Sequence, residues 1–114
     1  SMSCIFCKIV AGEIPADILY QDDDVMCFRD VAPQAPTHLL VIPKKHIGSI
    51  VELEQSDTEI AGKILVTATK MAVQDGVSES GYRVAMNCGD EGGQTVGHIH
   101  MHVLGGRQMG WPPG

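Results

Sequence analysis

The stretch His98-Ile99-His100-Met101-His102-Val103-Leu104 alternates polar and apolar residues with a period of two. Successive side chains of a β-strand point to opposite faces, so the pattern predicts three imidazoles on one face and three apolar side chains on the other. The apolar face then belongs to a core, and the other face is a row of groups that titrate near neutral pH. Three uses of that row are open: a catalytic metal site, a nucleophile flanked by acid and base groups, or a polar surface.

A glycine-rich loop, residues 87–97, precedes the histidine strand. Its glycines allow backbone amides to point into a concavity, and Asn87, Gln94 and Thr95 add side-chain donors, which suits an anionic ligand. Beside three histidines the loop indicates phosphate, and His38, at the head of another strand, can approach the same row. The pattern favours phosphoryl or nucleotidyl transfer, in which a neutral ring nitrogen attacks phosphorus and nearby donors hold the charged oxygens.

The remaining elements predict an α+β domain with a mostly antiparallel five-stranded sheet, one short helix and one long helix. The continuous apolar run from His38 to Pro43 is typical of a central strand covered on both faces. Ser3 is a candidate cap for the short helix, and Ser56 with Glu59 forms an S-x-x-E capping box for the long one. The predicted elements are a helix over residues 4–11, strands over 18–20, 25–29 and 38–43, a helix over 56–74, and strands over 82–86 and 98–104. The long helix is expected to bury one stripe, formed by Ile60, Ile64, Leu65, Ala68, Met71 and Ala72.

Length and composition bound the class of protein. A chain of 114 residues with 44% hydrophobic and 19% charged residues predicts one globular domain over 1–114, in which Ser1 before Met2 is typical of a tag remnant. A net charge of −6 argues against a nucleic-acid partner, because phosphate neutralisation needs clustered Lys and Arg. No apolar run approaches the roughly 18 residues of a membrane span and no signal-peptide core is visible, so we expect a cytoplasmic protein without a membrane partner. Its four cysteines are then expected as reduced thiols, with Cys27 and Cys88 in packing roles.

The residues 98–104 resemble the H-φ-H-φ-H-φ-φ signature of the histidine triad (HIT) superfamily of nucleotide hydrolases and transferases. The resemblance spans residues 4–114 and is strongest in 28–38, in 41–46 and in the tail 105–114. The tail, with the only tryptophan, Trp111, is similar to that of the Hint branch, the histidine triad nucleotide-binding proteins, rather than to Fhit-type dinucleoside polyphosphate hydrolases.

This resemblance implies a HIT-like fold whose sheet extends across a homodimer, and a hydrolase without an organic cofactor. The implied reaction is cleavage of the P–N bond of purine nucleoside phosphoramidates, meaning AMP and GMP amidates and aminoacyl-adenylate-like substrates. His100 matches the nucleophile that forms a nucleotidyl-histidine, and His102 and His38 match residues that bind phosphate oxygens and assist proton movement. Thr95 stands where Ser is commoner; it keeps the hydroxyl that relays a proton to the amine, and its methyl group is expected to alter rate or leaving-group preference.

The resemblance also supplies the nucleotide-binding residues. Asp30 matches the acid that receives the ribose hydroxyls, which a carboxylate can accept in pairs. Trp111 matches a residue on the substrate rim, in its own site or in that of the partner subunit. The apolar slot for the purine comprises Phe6, Ile9, Phe28, Val31 and Leu40, and the phosphate cradle comprises Asn87, Gly93, Thr95 and Val96 beside His100 and His102.

Cys4 and Cys7 form a C-x-x-C pair that shares one face of the short helix. The residues alone leave two readings open, a pair of buried thiols or a pair of metal ligands. The resemblance to bacterial members of the superfamily and to galactose phosphate uridylyltransferases implies zinc, with His46 and His98 as the other ligands. Two cysteines and two histidines make a closed tetrahedral site, so the expected zinc is structural.

Three alternatives to the phosphoramidase remain at this point. The first is another enzyme of the superfamily, a dinucleoside polyphosphate hydrolase or a nucleotidylyltransferase. The second is a regulatory nucleotide-binding or scaffold protein. The third is a catalytic metal site on the three histidines, which would leave the phosphate cradle and Asp30 without a role.

Overall fold

The computed structural model describes residues 3–114, so the expected tag remnant Ser1 lies outside the described residues. The chain forms a short helix α1 and a long helix α2 around five strands, β1 to β5. In chain order these are α1 (Ile5–Val10), β1 (Ile18–Gln21), β2 (Val25–Arg29), β3 (Thr37–Pro43), α2 (Thr58–Gln74), β4 (Tyr82–Ala85) and β5 (Met101–Gly105). The strands pair in the order β1-β2-β3-β5-β4, and each of these pairs is antiparallel. The predicted α+β fold with a five-stranded sheet is confirmed.

The sheet has a core on each face. β3 is buried along its whole length, as the apolar run predicted. Leu39 and Val41 pack in the cluster on the α2 side, whereas Leu40 and Ile42 pack in the cluster that contains the α1 residue Phe6. Alternation therefore places His38, which precedes Leu39, on the α1 face of the sheet. Among residues 3–114, no helix is both long and apolar enough to cross a lipid bilayer.

The histidine strand keeps its predicted alternation but begins later than predicted. Ile99 and Val103 are buried in the cluster on the α2 side, so the imidazoles occupy the opposite face. The hydrogen-bonded ladder with β3 starts only at Met101, and the expected strand start at residue 98 is wrong. Pro43 has no N–H with which to continue the ladder, and the Ile99 N–H donates instead to the Ile47 carbonyl at 2.7 Å.

Helix α2 also begins later than predicted. Residues 55–57 form a tight 3₁₀ turn with a capping box between Glu54 and Asp57, so the expected box of Ser56 and Glu59 is wrong and α2 starts at Thr58. Four of the residues expected in the buried stripe are buried. Leu65 is 46% exposed and Thr67 is buried instead. The turn sets how α2 is rotated about its own axis and therefore which residues face the core. Sequence periodicity alone does not predict that face to within one residue.

Asp75, directly after α2, ties the helix to two strand ends. Its carboxylate accepts hydrogen bonds from Arg29 Nη2 at 2.7 Å and from Thr37 Oγ1 at 2.6 Å. The Arg29 guanidinium holds the pKa of Asp75 below its ordinary value. Arg29 ends β2 and Thr37 begins β3, so Asp75 closes the base of the loop between them on the α2 side of the sheet.

Asp75→Asn is expected to lower the free energy of unfolding by about 1–2 kcal/mol, because a charged acceptor shared by the half-buried Arg29 and the buried Thr37 is lost. Urea unfolding measures this. Asp24→Asn is the matched control: Asp24 pairs with Lys63 at an exposed hairpin, and its loss is expected to cost at most about 0.5 kcal/mol. Equal losses in the two variants would contradict the account of Asp75.

Candidate active site and metal centre

Backbone carbonyls fix which nitrogen carries the proton in two histidines. His98 Nε2 lies 2.8 Å from the Pro43 carbonyl oxygen, and His100 Nδ1 lies 2.8 Å from the His98 carbonyl oxygen. A carbonyl oxygen only accepts, so each of these nitrogens must carry the hydrogen. The neutral rings then keep a lone pair on His98 Nδ1 and on His100 Nε2. His100 therefore has the tautomer of a nucleophile that attacks through Nε2.

A second pair of histidines is oriented from the loop before β3. The Gln34 N–H donates to His38 Nδ1 at 3.0 Å, so the hydrogen of the neutral His38 ring is on Nε2. His38 Nε2 lies 2.9 Å from His102 Nδ1 and donates to it, which leaves His102 with its own hydrogen on Nε2. The chain of bonds from Gln34 thus ends at a donor on His102, beside His100, whose ring centroid lies 5.0 Å from that of His102. That donor suits a phosphate oxygen.

The same tautomers argue against catalytic metal sites on these residues. Asp30, His38 and His102 offer ligand atoms within 4.8 Å of one another. A metal bound to His38 Nε2 would require the ring hydrogen to be on Nδ1. That hydrogen would then point at the Gln34 N–H, and two donors cannot form a hydrogen bond with each other. The lone pair of His98 is turned toward Cys4 and Cys7 and away from the other two histidines of the row. The alternative of a catalytic metal on the three histidines is therefore disfavoured.

Burial keeps this pair of histidines neutral. It lowers the pKa of His102 to about 4, with further lowering by the neighbouring His100 and His38. Burial also lowers the pKa of His38, against an opposing effect of Asp30, whose Oδ2 lies 3.4 Å from His38 Nε2. Both rings are therefore neutral at pH 7, in agreement with the hydrogen bonds that they make.

The lowered pKa of His102 predicts that acid destabilises the protein. As the pH falls below the ordinary value of 6.5, the unfolded chain binds a proton at residue 102 and the folded chain does not until the pH nears 4. The contribution is complete above pH 6.5 and is lost progressively between pH 6.5 and 4. In urea unfolding from pH 7 to pH 5, the wild type is expected to lose more stability than His102→Asn, which keeps an acceptor near the position of Nδ1. An equal loss of unfolding free energy in the two proteins between pH 7 and pH 5 would contradict the lowered pKa of His102.

A cavity of about 260 Å³ opens beside His100 and His102. It is apolar at the end where the rings of Phe6 and Phe28 meet edge to face, with centroids 5.5 Å apart, and polar at the histidine end. The expected nucleotide-binding residues that line it are Phe6, Ile9, Phe28, Asp30, Val31, Leu40, Thr95, Val96, His100 and His102. Its apolar and polar ends match the base and the phosphate of a nucleotide.

Four of the residues expected to contact substrate lie outside that cavity: His38, Asn87, Gly93 and Trp111. Asn87 lines a second cavity of about 440 Å³, between His38, His102 and the C-terminal tail. Gly93 is held in a turn, where its N–H donates to the Asp90 carbonyl at 3.0 Å. This amide is hydrogen-bonded within the turn, and the expected place of Gly93 in the phosphate cradle stays a prediction. Trp111 is 82% exposed within this chain, and its expected place on the substrate rim, in its own site or the partner's, stays a prediction.

Sequence reasoning missed two contributions to the site. The segment between α1 and β1 lines the cavity through Ile14, Pro15 and Ala16. Apolar residues on both sides of a proline in a connection are a signal that could have indicated this packing. Gln94, expected to donate to an anion, has its amide bonded to protein groups instead, so that expectation is wrong.

Cys4, Cys7, His46 and His98 bring four ligand atoms together beside the histidine row. Cys4 caps α1, not the expected Ser3, and its Sγ accepts the Cys7 N–H at 3.4 Å. The Sγ–Nδ1 distances are 3.5 Å from Cys4 to His98, 3.2 Å from Cys7 to His46 and 3.6 Å from Cys7 to His98, and the two Nδ1 atoms are 3.2 Å apart. Tetrahedral zinc with its usual bond lengths needs edges of about 3.6 Å between sulfur and nitrogen and about 3.3 Å between nitrogens. The residues present fit zinc.

Comparisons with known proteins agree with this geometry. A model of the HIT domain family matches residues 11–109, so Cys4 and Cys7 precede the matched range. An uncharacterised HIT-like protein of Synechococcus elongatus is 52% identical over all of this chain and 99% of its own length. The purine nucleoside phosphoramidase of Escherichia coli is 50% identical over 93% of this chain and 89% of its own. The crystal structure of a HIT family hydrolase from Legionella pneumophila superposes with a TM-score of 0.96 at 54% identity, covering 98% of this chain and 100% of that one.

Proposed function

This chain belongs to the HIT domain family and is a hydrolase of that family. We propose that it is a purine nucleoside phosphoramidase of the Hint branch. The substrates are AMP and GMP amidates and aminoacyl-adenylate-like compounds. One observation carries the proposal: His100 lines the nucleotide-sized cavity, and its Nδ1 is tied to the His98 carbonyl, so that Nε2 is the nitrogen with the lone pair. The E. coli relative, half identical over most of the chain, is named for this activity and supports the choice of reaction.

Two displacements at phosphorus make up the reaction. In the first, His100 Nε2 forms a bond to phosphorus and the P–N bond of the substrate breaks, while the Thr95 hydroxyl relays a proton from solvent to the departing amine. In the second, water attacks phosphorus and the electron pair of the P–Nε2 bond returns to the ring, which restores neutral His100. The proton that the amine gains in the first step is balanced by the one that water loses in the second. His102 Nε2–H holds a phosphate oxygen in both steps.

The lining of the cavity supports a proposal for the remaining contacts of the nucleotide. The purine lies in the apolar end, against the rings of Phe6 and Phe28. Asp30 accepts the ribose hydroxyls through its carboxylate, although its Oδ1 also accepts the Ala32 N–H at 2.8 Å. Asn87, which lines the neighbouring cavity together with His102, contacts the phosphate from the leaving-group side. Gly93 shapes the loop that carries these donors without contributing its amide.

Zinc on Cys4, Cys7, His46 and His98 would hold α1 against the sheet. All four ligand positions come from the protein, so the metal is structural and supplies no open position for substrate. His98 is fully buried, and its Nε2–H bond to Pro43 leaves Nδ1 available as a ligand. The Phe6 ring, next to Cys7 on α1, packs on both His98 and His100, so the helix that zinc holds also forms a wall of the purine slot.

The proposed assembly is a homodimer that pairs through β4. This strand is at one edge of the sheet, where unpaired backbone groups favour addition of another strand. Exposed apolar side chains of α2, among them Leu65 and Val66, supply further surface to cover. Such a dimer gives the exposed Trp111 a second chain to pack on, at the rim of the substrate site.

A substrate panel tests the proposed activity. We expect kcat/KM for an AMP amidate to exceed that for a diadenosine polyphosphate by at least about 100-fold, equivalent to about 2.7 kcal/mol in the transition state. The kcat/KM for purine amidates is expected to exceed that for pyrimidine amidates, because two fused rings bury more apolar surface against Phe6 and Phe28 than one ring does. A preference for the polyphosphate would instead identify a dinucleoside polyphosphate hydrolase.

A further inference from the structure

The side-chain amide of Gln94 is fully used by bonds inside the protein. An amide offers two hydrogens and one oxygen with two lone pairs, which is four bonds at most. Gln94 Nε2 donates to the Gly48 carbonyl at 2.7 Å and to the Val96 carbonyl at 3.0 Å, and Oε1 accepts from Ser49 Oγ at 2.9 Å and from the Gly89 N–H at 3.0 Å. A saturated amide cannot bind substrate without breaking a protein bond, so its role is within the fold.

Those four bonds join the glycine-rich loop to the segment that follows His46. Gly89 and Val96 belong to the loop, and Gly48 and Ser49 belong to the segment. The same segment accepts the Ile99 N–H through the Ile47 carbonyl at 2.7 Å, so it also fixes the backbone between His98 and His100. Gln94 thus connects the loop to the backbone that carries the nucleophile.

The loop is folded tightly around Gln94. A Cβ on Gly92 would lie 2.2 Å from the Cys88 carbonyl oxygen, a distance that no side chain can accept. The Gln94 N–H donates to the Gly89 carbonyl at 3.0 Å, next to the Gly89 N–H that its own side chain holds. Thr95 and Val96 follow directly and line the nucleotide cavity. Thr95 therefore follows directly on a residue that is hydrogen-bonded through both its side chain and its backbone N–H.

We propose that Gln94 is a positioning residue for P–N cleavage, which holds Thr95 beside the leaving nitrogen by bracing the loop on Gly48 and Ser49. This inference rests on the proposed phosphoramidase function. In Gln94→Glu, the side chain keeps its shape and an oxygen acceptor but loses both donated bonds, and a carboxylate oxygen then faces the Gly48 and Val96 carbonyls. The loop must move, and Thr95 moves with it.

A double-mutant cycle with Thr95→Ala tests the proposal by steady-state kinetics on an AMP amidate. Gln94→Glu is expected to lower kcat by about 10–100-fold with at most about 3-fold change in KM. The reason is that a displaced Thr95 hydroxyl slows P–N cleavage more than it weakens binding of the substrate. In the Thr95→Ala background the same change is expected to lower kcat by less than about 3-fold, because the group that Gln94 positions is already absent. Ser49→Ala, which removes one bond to Gln94, is expected to show the same dependence on Thr95 with a smaller effect.

Gln55→Glu is the matched control, since it makes the same chemical change at an exposed residue and is expected to leave kcat unchanged. Equal effects of Gln94→Glu with and without Thr95, or an unchanged kcat, would overturn the positioning role. If Gln94→Glu fails to fold, the Ser49→Ala cycle gives the answer. A wild type that does not hydrolyse the amidate would instead refute the proposed function, so the two failures are distinguishable.

Discussion

His100→Gly is expected to lower kcat for an AMP amidate by at least about 10⁴-fold while AMP still binds, because the variant lacks the nitrogen that attacks phosphorus. The purine slot and Asp30 are unchanged, so calorimetric affinity for AMP is expected to stay within about 5-fold of the wild type. Kinetics with the amidate and calorimetry with AMP measure the two quantities separately.

Added imidazole provides a control for His100→Gly. The deleted ring leaves space beside the cavity, so free imidazole is expected to restore part of the rate in this variant and to leave the wild type unaffected. A His100→Gly protein that retained the wild-type rate would refute the nucleophilic role. Loss of AMP binding together with loss of the rate would point to collapse of the site rather than to missing chemistry.

Substitution of Cys7 by Ser is expected to lower the zinc stoichiometry from about one per chain to near zero and to cost about 3–5 kcal/mol of stability, because metal binding adds directly to the free energy of folding. The Cys7 sulfur lies within 3.6 Å of the Nδ1 atoms of both His46 and His98 and is central to the set. Metal analysis of protein purified without chelator, with urea unfolding of the same samples, measures both effects.

Cys88→Ser is the matched control for the zinc prediction. Its sulfur lies 3.3 Å from Ser49 Oγ and takes no part in the four-residue set, so this variant is expected to keep the zinc of the wild type. A zinc content near zero per wild-type chain would refute the zinc site, and Cys4 and Cys7 would then be free of metal. Equal zinc content in Cys7→Ser and Cys88→Ser would contradict the assignment of ligands.

Much of the fold could be predicted from local pattern. The alternation in residues 98–104 correctly predicted which side chains face the core, and the apolar run 38–43 predicted a strand buried on both faces. The start of β5 could not be predicted, because it depends on which strand pairs with it: Pro43 stands opposite the point where the ladder stops. The exposed position of Leu65 depends on the turn before α2, whose capping box is formed by Glu54 and Asp57.

The candidate site divides in the same way. Residue types and the family resemblance predicted the groups that line the cavity, including Asp30 and Thr95. The tautomers of His98 and His100 could not be predicted, because the Pro43 and His98 carbonyls that set them meet the rings only in the folded chain. Gln94 carries an amide in a glycine-rich loop, so from the sequence it is a candidate donor to a ligand. Only its contacts in the folded chain show that the amide is hydrogen-bonded to other protein groups.

Capture of the covalent intermediate tests the central claim most directly. Wild-type protein mixed with excess AMP amidate is denatured within milliseconds at alkaline pH, where a phosphorus–imidazole bond survives, and is then measured by intact mass and peptide mapping. The account predicts a mass increase of one adenylyl group, located on His100 and absent from His100→Gly. Rapid turnover with no adduct on any histidine, or an adduct on His102 in place of His100, would contradict it.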